Sequence, residues 1–186
     1  MGKRKVCARF LPHSLNDDQK QARVQHSKDM IQAADNDPNF LKTSATGDET
    51  WCFQYEPLTK RQSSVWISSG SPKQKKVRLQ KSRLKTMLIT FFDSNGIIHK
   101  EFVPAGTTVT SNFYLQDLKR LCARIRRIRP QYGEDGSWSL LHDNAPSHNA
   151  LVVRQFLASK RIVVLNHPSY SLDMSPCDYF LFPKLK

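Results

Sequence analysis

Residues 138–148, Trp-Ser-Leu-Leu-His-Asp-Asn-Ala-Pro-Ser-His, constrain the fold of this chain more than any other stretch. The short apolar run from Trp138 to Leu141 reads as a buried strand that delivers Asp143 to its end. A helix is expected at once, from about Ser147 to Lys160, with Ser147 as its N-cap. After an interval of 34 residues, Asp178 opens the last segment. Upstream, Asp48 in Thr46-Gly47-Asp48-Glu49-Thr50-Trp51 is read as heading another strand. Three such carboxylates in a chain with 29 Lys plus Arg against 16 Asp plus Glu call for an explanation. Divalent metal is the best one.

The surrounding pattern gives the architecture. Asn16, followed by Asp17, Asp18 and Gln19, is a capping box for a first helix running to about Ala34. Its apolar face of Val24, Ile31 and Ala34 is thin, so this helix is expected to lie on another element. Trp51, Phe53 and Tyr55 alternate with polar residues as a strand does. Thr86 to Phe92 reads as a buried strand, Asp93-Ser94-Asn95-Gly96 as a hairpin turn, and Ile97 to Val103 as the returning partner. Leu115, Leu118, Leu121, Ile125 and Ile128 make one stripe of a helix from Ser111 to Arg129. Ile162 to Leu165 is a further short strand. Three meandering strands followed by alternating helices and strands predict an α/β fold with a mixed sheet. Residues 1–43 read as a basic linker and helix, and 44–186 as the main domain.

The net charge of +13 points to a polyanionic partner, with nucleic acid first. Distribution sharpens this. Between Pro57 and Phe92 there is no acid, yet there are nine cations: Lys60, Arg61, Lys73, Lys75, Lys76, Arg78, Lys81, Arg83 and Lys85. A second cluster comprises Lys119, Arg120, Arg124, Arg126, Arg127 and Arg129. Of these, Arg120, Arg124 and Arg127 are taken as DNA-contacting candidates, a solvated helix face being the equal alternative. No apolar run approaches a membrane span, and no secretory signal follows Met1. Four cysteines without a CxxC pair argue against a zinc or disulfide framework and suit a reducing compartment. His142, His148 and His167 lack the spacing of a zinc site and read as ordinary surface or supporting histidines. No small-molecule site stands out.

Magnesium prefers oxygen ligands and usually takes one or two carboxylates together with phosphate and water. Two such ions about 3.5–4 Å apart activate an attacking hydroxyl and stabilise a leaving oxygen in phosphoryl transfer. Asp48, Asp143 and Asp178 are therefore the candidate catalytic and metal-ligating residues.

The segments Thr46 to Trp51, His142 to His148 and His167 to Tyr179 resemble the catalytic domain of mariner transposases. Lys60 to Trp66, Phe102 to Gly106 and Phe182 to Lys186 fit as well, as does the 34-residue interval. The resemblance implies an RNase H-like fold with Asp48, Asp143 and Asp178 holding two Mg²⁺ or Mn²⁺ ions. It also implies DNA as partner and a nuclear protein. Residues 56–77 would be a clamp-like loop and Phe10-Leu11-Pro12-His13-Ser14-Leu15 a linker motif. Trp66, Phe10, Pro12 and His13 would then contact a second subunit in a homodimer. Two departures stand out: Ser169 and Leu172 occupy positions where the family usually has proline. A helix-turn-helix region before Met1 and helices after Lys186 would be expected of a whole family member, so the chain reads as an excised piece or a decayed genomic copy. The activity expected is metal-dependent cleavage at transposon ends and strand transfer into target DNA. Its rival is a domesticated or degenerate copy that binds DNA without catalysis. A hybrid-cutting nuclease of the same fold leaves the interval and the clamp-like loop unexplained.

Overall fold

The computed structural model describes residues 14–53, 84–132 and 134–185. The long helix α1 spans Asp17–Asn36 and starts with the capping box read from the sequence. The Asn16 side chain accepts from the Gln19 N–H at 2.8 Å, and the Gln19 side chain accepts from the Asn16 N–H at 3.0 Å. The expected apolar contact is absent: Val24 and Ile31 are exposed, and no residue of α1 is buried. Its tie is polar instead. The Arg23 guanidinium donates both arms to Asp173, at 2.9 and 2.7 Å.

The sheet follows in five strands: β1 Ser44–Phe53, β2 Lys85–Asp93, β3 Gly96–Val103, β4 Ser139–Leu141 and β5 Val163–Leu165. Their spatial order is β3-β2-β1-β4-β5. The first three strands meander antiparallel, while β4 and β5 run parallel to β1. This mixed sheet with its helices is the RNase H-like α/β fold the sequence predicts. At the β2–β3 hairpin the positive φ falls on Gly96 alone, at 113°. The Asn95 N–H is held by the Asp93 carboxylate at 2.8 Å.

Helix α2, Ser111–Ile128, is capped by Thr110 and packs the predicted stripe on one face of the sheet. Leu118, Leu121 and Ile125 are buried with Ile89, Phe91 and Leu140. Helix α3, Leu151–Ser159, joins the same layer through Val153 and Leu157. Period-two alternation sends Phe92 to the opposite face. There it packs on Cys177, Leu181 and Phe182 of a wide helical turn, Cys177–Leu181, and the short α4, Phe182–Leu185.

Three sequence readings need correction. Ser147 is not an N-cap: residues 146–148 form a turn, with the His148 and Asn149 N–H groups on the Ala145 carbonyl. The N-cap of α3 is Ala150, which has no side-chain acceptor. Asp48 lies inside β1, opposite Thr90, rather than at its head. Arg129, counted among the surface cations, is tied at 2.7 Å to the fully buried carboxylate of Asp93.

Candidate active site

Strand register brings the first two carboxylates level. Thr46 of β1 pairs with Leu141 of β4 in parallel. Two steps further along each chain are Asp48, still within β1, and Asp143, just past the end of β4. The glycine before Asp48 has a packing reason, since a methyl group on Gly47 would overlap the Phe91 ring.

The third carboxylate arrives from the far end of the chain. Cys177 is fully buried, with Sγ 4.0 Å from Thr46 Oγ1. The Ser175 hydroxyl donates to Asp48 Oδ2 at 3.3 Å. Ser175 also receives the Asp178 N–H, on its carbonyl at 3.1 Å and its hydroxyl at 3.4 Å. These contacts seat the 177–181 turn against β1 and set Asp178 beside Asp48. Asp178 sits in the first turn of that segment and does not cap it, since the capping position is Pro176.

Electrostatics record the crowding. Burial, and then the neighbouring Asp178, hold the Asp48 carboxyl well above the usual carboxylate range. Asp143 is the opposite case. Burial would raise it, but a hydrogen bond from His148 and the Ala145 N–H bring it below its ordinary value. His148 Nδ1 is 2.7 Å from Asp143 Oδ1, and its Nε2 is 3.0 Å from Glu49 Oε1. Burial alone would lower this imidazole, yet the two carboxylates push it up to about 9. It is therefore cationic at neutral pH. Its neighbour His142 is driven down to about 4 by burial and by His148, and the Tyr114 hydroxyl meets its Nδ1 at 2.8 Å. The rings of Tyr114, His142 and His148 form a stack, with His142 and His148 nearly parallel at 6°.

Glu49, His148 and Tyr114 were not assigned a role from the sequence. The only signal was the adjacency of Glu49 to Asp48 and of His148 to the Asp143 turn. His142, His148 and His167, read as surface or supporting histidines, are all buried, and His148 takes the supporting place beside Asp143. The Asn144 amide donates to the His167 carbonyl, closing the loop beside Asp143. A cleft of about 390 Å³ opens there, lined by Asp143, Asn144, Ala145 and residues 167–172. Asp48 and Asp178 are not among its lining residues.

Of the cations assigned to DNA, Lys60, Arg61, Lys73, Lys75, Lys76, Arg78, Lys81 and Arg83 lie outside the described residues, as do Trp66, Phe10, Pro12 and His13. Lys85 stands 3.9 Å over the Trp51 ring. Arg124 and Arg127 are exposed on α2, whereas Arg120 is engaged with Glu101 at 2.6 Å.

Residues 56–133 match the family model described as Transposase (partial DDE domain). The chain is 36% identical over 186 residues to the mariner Mos1 transposase of Drosophila mauritiana, covering all of this chain and 53% of that protein. It thus spans about half the length of that relative. The crystal structure of the Mos1 mariner paired end complex with Mn superposes with a TM-score of 0.84 at 35% identity, over all of this chain and 53% of that one. The crystal structure of the catalytic domain of Mos1 mariner transposase matches at 32% identity and a TM-score of 0.74, over 95% of this chain and 74% of that one. Sequence and fold agree, and the chain belongs to the mariner transposase family, in its catalytic domain.

Proposed function

We propose that this chain carries the chemistry of a DNA transposase: metal-dependent cleavage at transposon ends, then joining of the freed 3′ hydroxyl to target DNA. One observation carries the reading. Asp48 and Asp178 are pressed together with Asp143 nearby, so that Asp48 holds its proton unless positive charge enters the site. An all-oxygen set of this kind suits Mg²⁺ or Mn²⁺. Asp48, Asp143 and Asp178 would hold two ions; the related Mos1 complex with Mn supports the use of a divalent metal. When bound, the metal supplies a Lewis acid and lowers the pKa of an attacking water or hydroxyl.

The chain's own residues do the positioning. Cationic His148 keeps Asp143 ionised and fixes its orientation, while Glu49 holds the other imidazole nitrogen. Ser175 fixes Asp48 through Oδ2. Exposed Arg124 and Arg127, with the cations of residues 60–85, would meet phosphates rather than base edges. Pairing of two copies through residues 56–77 and the 10–15 linker, and work in the nucleus, complete the proposal.

Asp178→Asn tests it. The amide keeps the shape of the carboxylate but loses the charge that balances a divalent ion. With the chain joined to a matching end-recognition domain, the variant should nick duplex DNA in Mn²⁺ at least about 10²-fold more slowly than the parent. Its metal-free melting temperature should be unchanged or slightly higher. Undiminished nicking rules out the role given to Asp178, and a parent that never cuts DNA favours the DNA-binding relic.

A further inference from the structure

A second ligand cluster borders the Phe91 ring. That ring is 6.3 Å from His99 on β3 and 6.4 Å from Tyr114 of the stack beside Asp143. His99 Nε2 is 2.9 Å from Asp117 Oδ1 and 3.5 Å from Glu101 Oε2. Among the described residues, His99, Glu101 and Asp117 are the one group of three potential ligand residues whose donor atoms all lie within 4.8 Å of one another. Donors around a tetrahedral zinc, at bonds of about 2.0–2.2 Å, stand roughly 3.3–3.5 Å apart. The His99–Glu101 separation matches that spacing, and the His99–Asp117 pair, now hydrogen-bonded, needs only a small shift to reach it.

A second observation separates this cluster from an ordinary ion network. Asp117 is fully buried in the middle of α2, and its Oδ2 has no hydrogen-bond partner among the described residues. A buried carboxylate oxygen left unsatisfied is costly, and a metal would satisfy it. The present counter-charge is Arg120, whose guanidinium meets Glu101 at 2.6 and 2.8 Å and Asp117 Oδ1 at 3.7 Å. Its side chain is 44% exposed, so it can turn to solvent at little cost.

We propose that His99, Glu101 and Asp117 form a zinc site distinct from the three catalytic aspartates, with Arg120 as the cation that Zn²⁺ displaces. Neutral imidazole and two carboxylates balance the ion, and a fourth position stays open to water. Both strand ligands come from β3, the edge of the sheet, and the third from α2. Zinc would pin that edge to the helix. The site is independent of the proposed DNA chemistry and is read without it.

The test uses the 186-residue chain carrying Asp48→Asn and Asp178→Asn, so that metal at the catalytic carboxylates is removed from the reading. Calorimetric titration with Zn²⁺ should find one ion per chain, and the melting temperature should rise with it. Co²⁺ in its place should give the visible absorption of a tetrahedral centre. Glu101→Gln, at a partly exposed edge position, should weaken Zn²⁺ binding at least about tenfold. Arg120→Gln should strengthen it severalfold. His99→Gln, which keeps a donor toward Asp117, should abolish the Co²⁺ absorption. No zinc binding by the parent, or equal binding by Glu101→Gln and His99→Gln, overturns the proposal.

Discussion

Gly47 shows how one side chain, or its lack, sets the position of a candidate metal-ligating group. β1 must run close under Phe91 for Asp48 to lie level with Asp143, and only a residue without Cβ fits beneath the ring. Gly47→Ala should therefore destabilise the fold by about 1–3 kcal/mol, as overpacking of a filled core does. At this chain length that is a fall of roughly 2–4 °C in melting temperature per kcal/mol. An unchanged thermal melt would show that Phe91 yields freely. Asp48, Asp143 and Asp178 could be singled out from the sequence because each sits in a recognisable short motif and the last two are set by a fixed interval. The bridge from Asp143 through His148 to Glu49 was not, because Glu49 and His148 are 99 positions apart. Nothing in either local pattern distinguishes a supporting histidine from a surface one.

Among the elements, α2 was read almost to the residue, since Leu118, Leu121 and Ile125 recur at helical spacing and its cap is local. The start of α3 was misread because Ser147 has the chemistry of a cap, but the turn that swings His148 inward takes its place. Helix α1 raises a different question: a helix with no buried residue needs an anchor. Arg23 and Asp173 provide it, with side chains only 20% and 30% exposed. Arg23→Ala should cost about 1–2 kcal/mol, between an exposed ion pair and a buried charged hydrogen bond. Amide exchange across residues 17–36 should quicken more than in the sheet. Exchange that stays as slow as in the parent would mean that α1 is held by something else.

For the whole molecule, the charge of +13 contrasts with the acids gathered at the site. Duplex DNA binding should weaken steeply with salt, with a log–log slope of about −0.9 per phosphate neutralised, and should vary little between sequences. A strong preference for one duplex in competition would contradict a phosphate-only interface. The mixed sheet was legible from the run of three strands before alternating helices and strands. The meeting of its ends was not, because it depends on parallel register and on contacts across most of the chain. Thr46 reaches Cys177 over 131 positions, and Asp48 reaches Ser175 over 127. Contacts of that span cost more closure entropy than those of a hairpin and slow folding. The hairpin of β2 and β3 can therefore be complete while Asp178 is still unplaced. A brief opening of residues 172–185 would silence the carboxylate cluster and leave the sheet standing, so that catalytic competence is lost before the fold is.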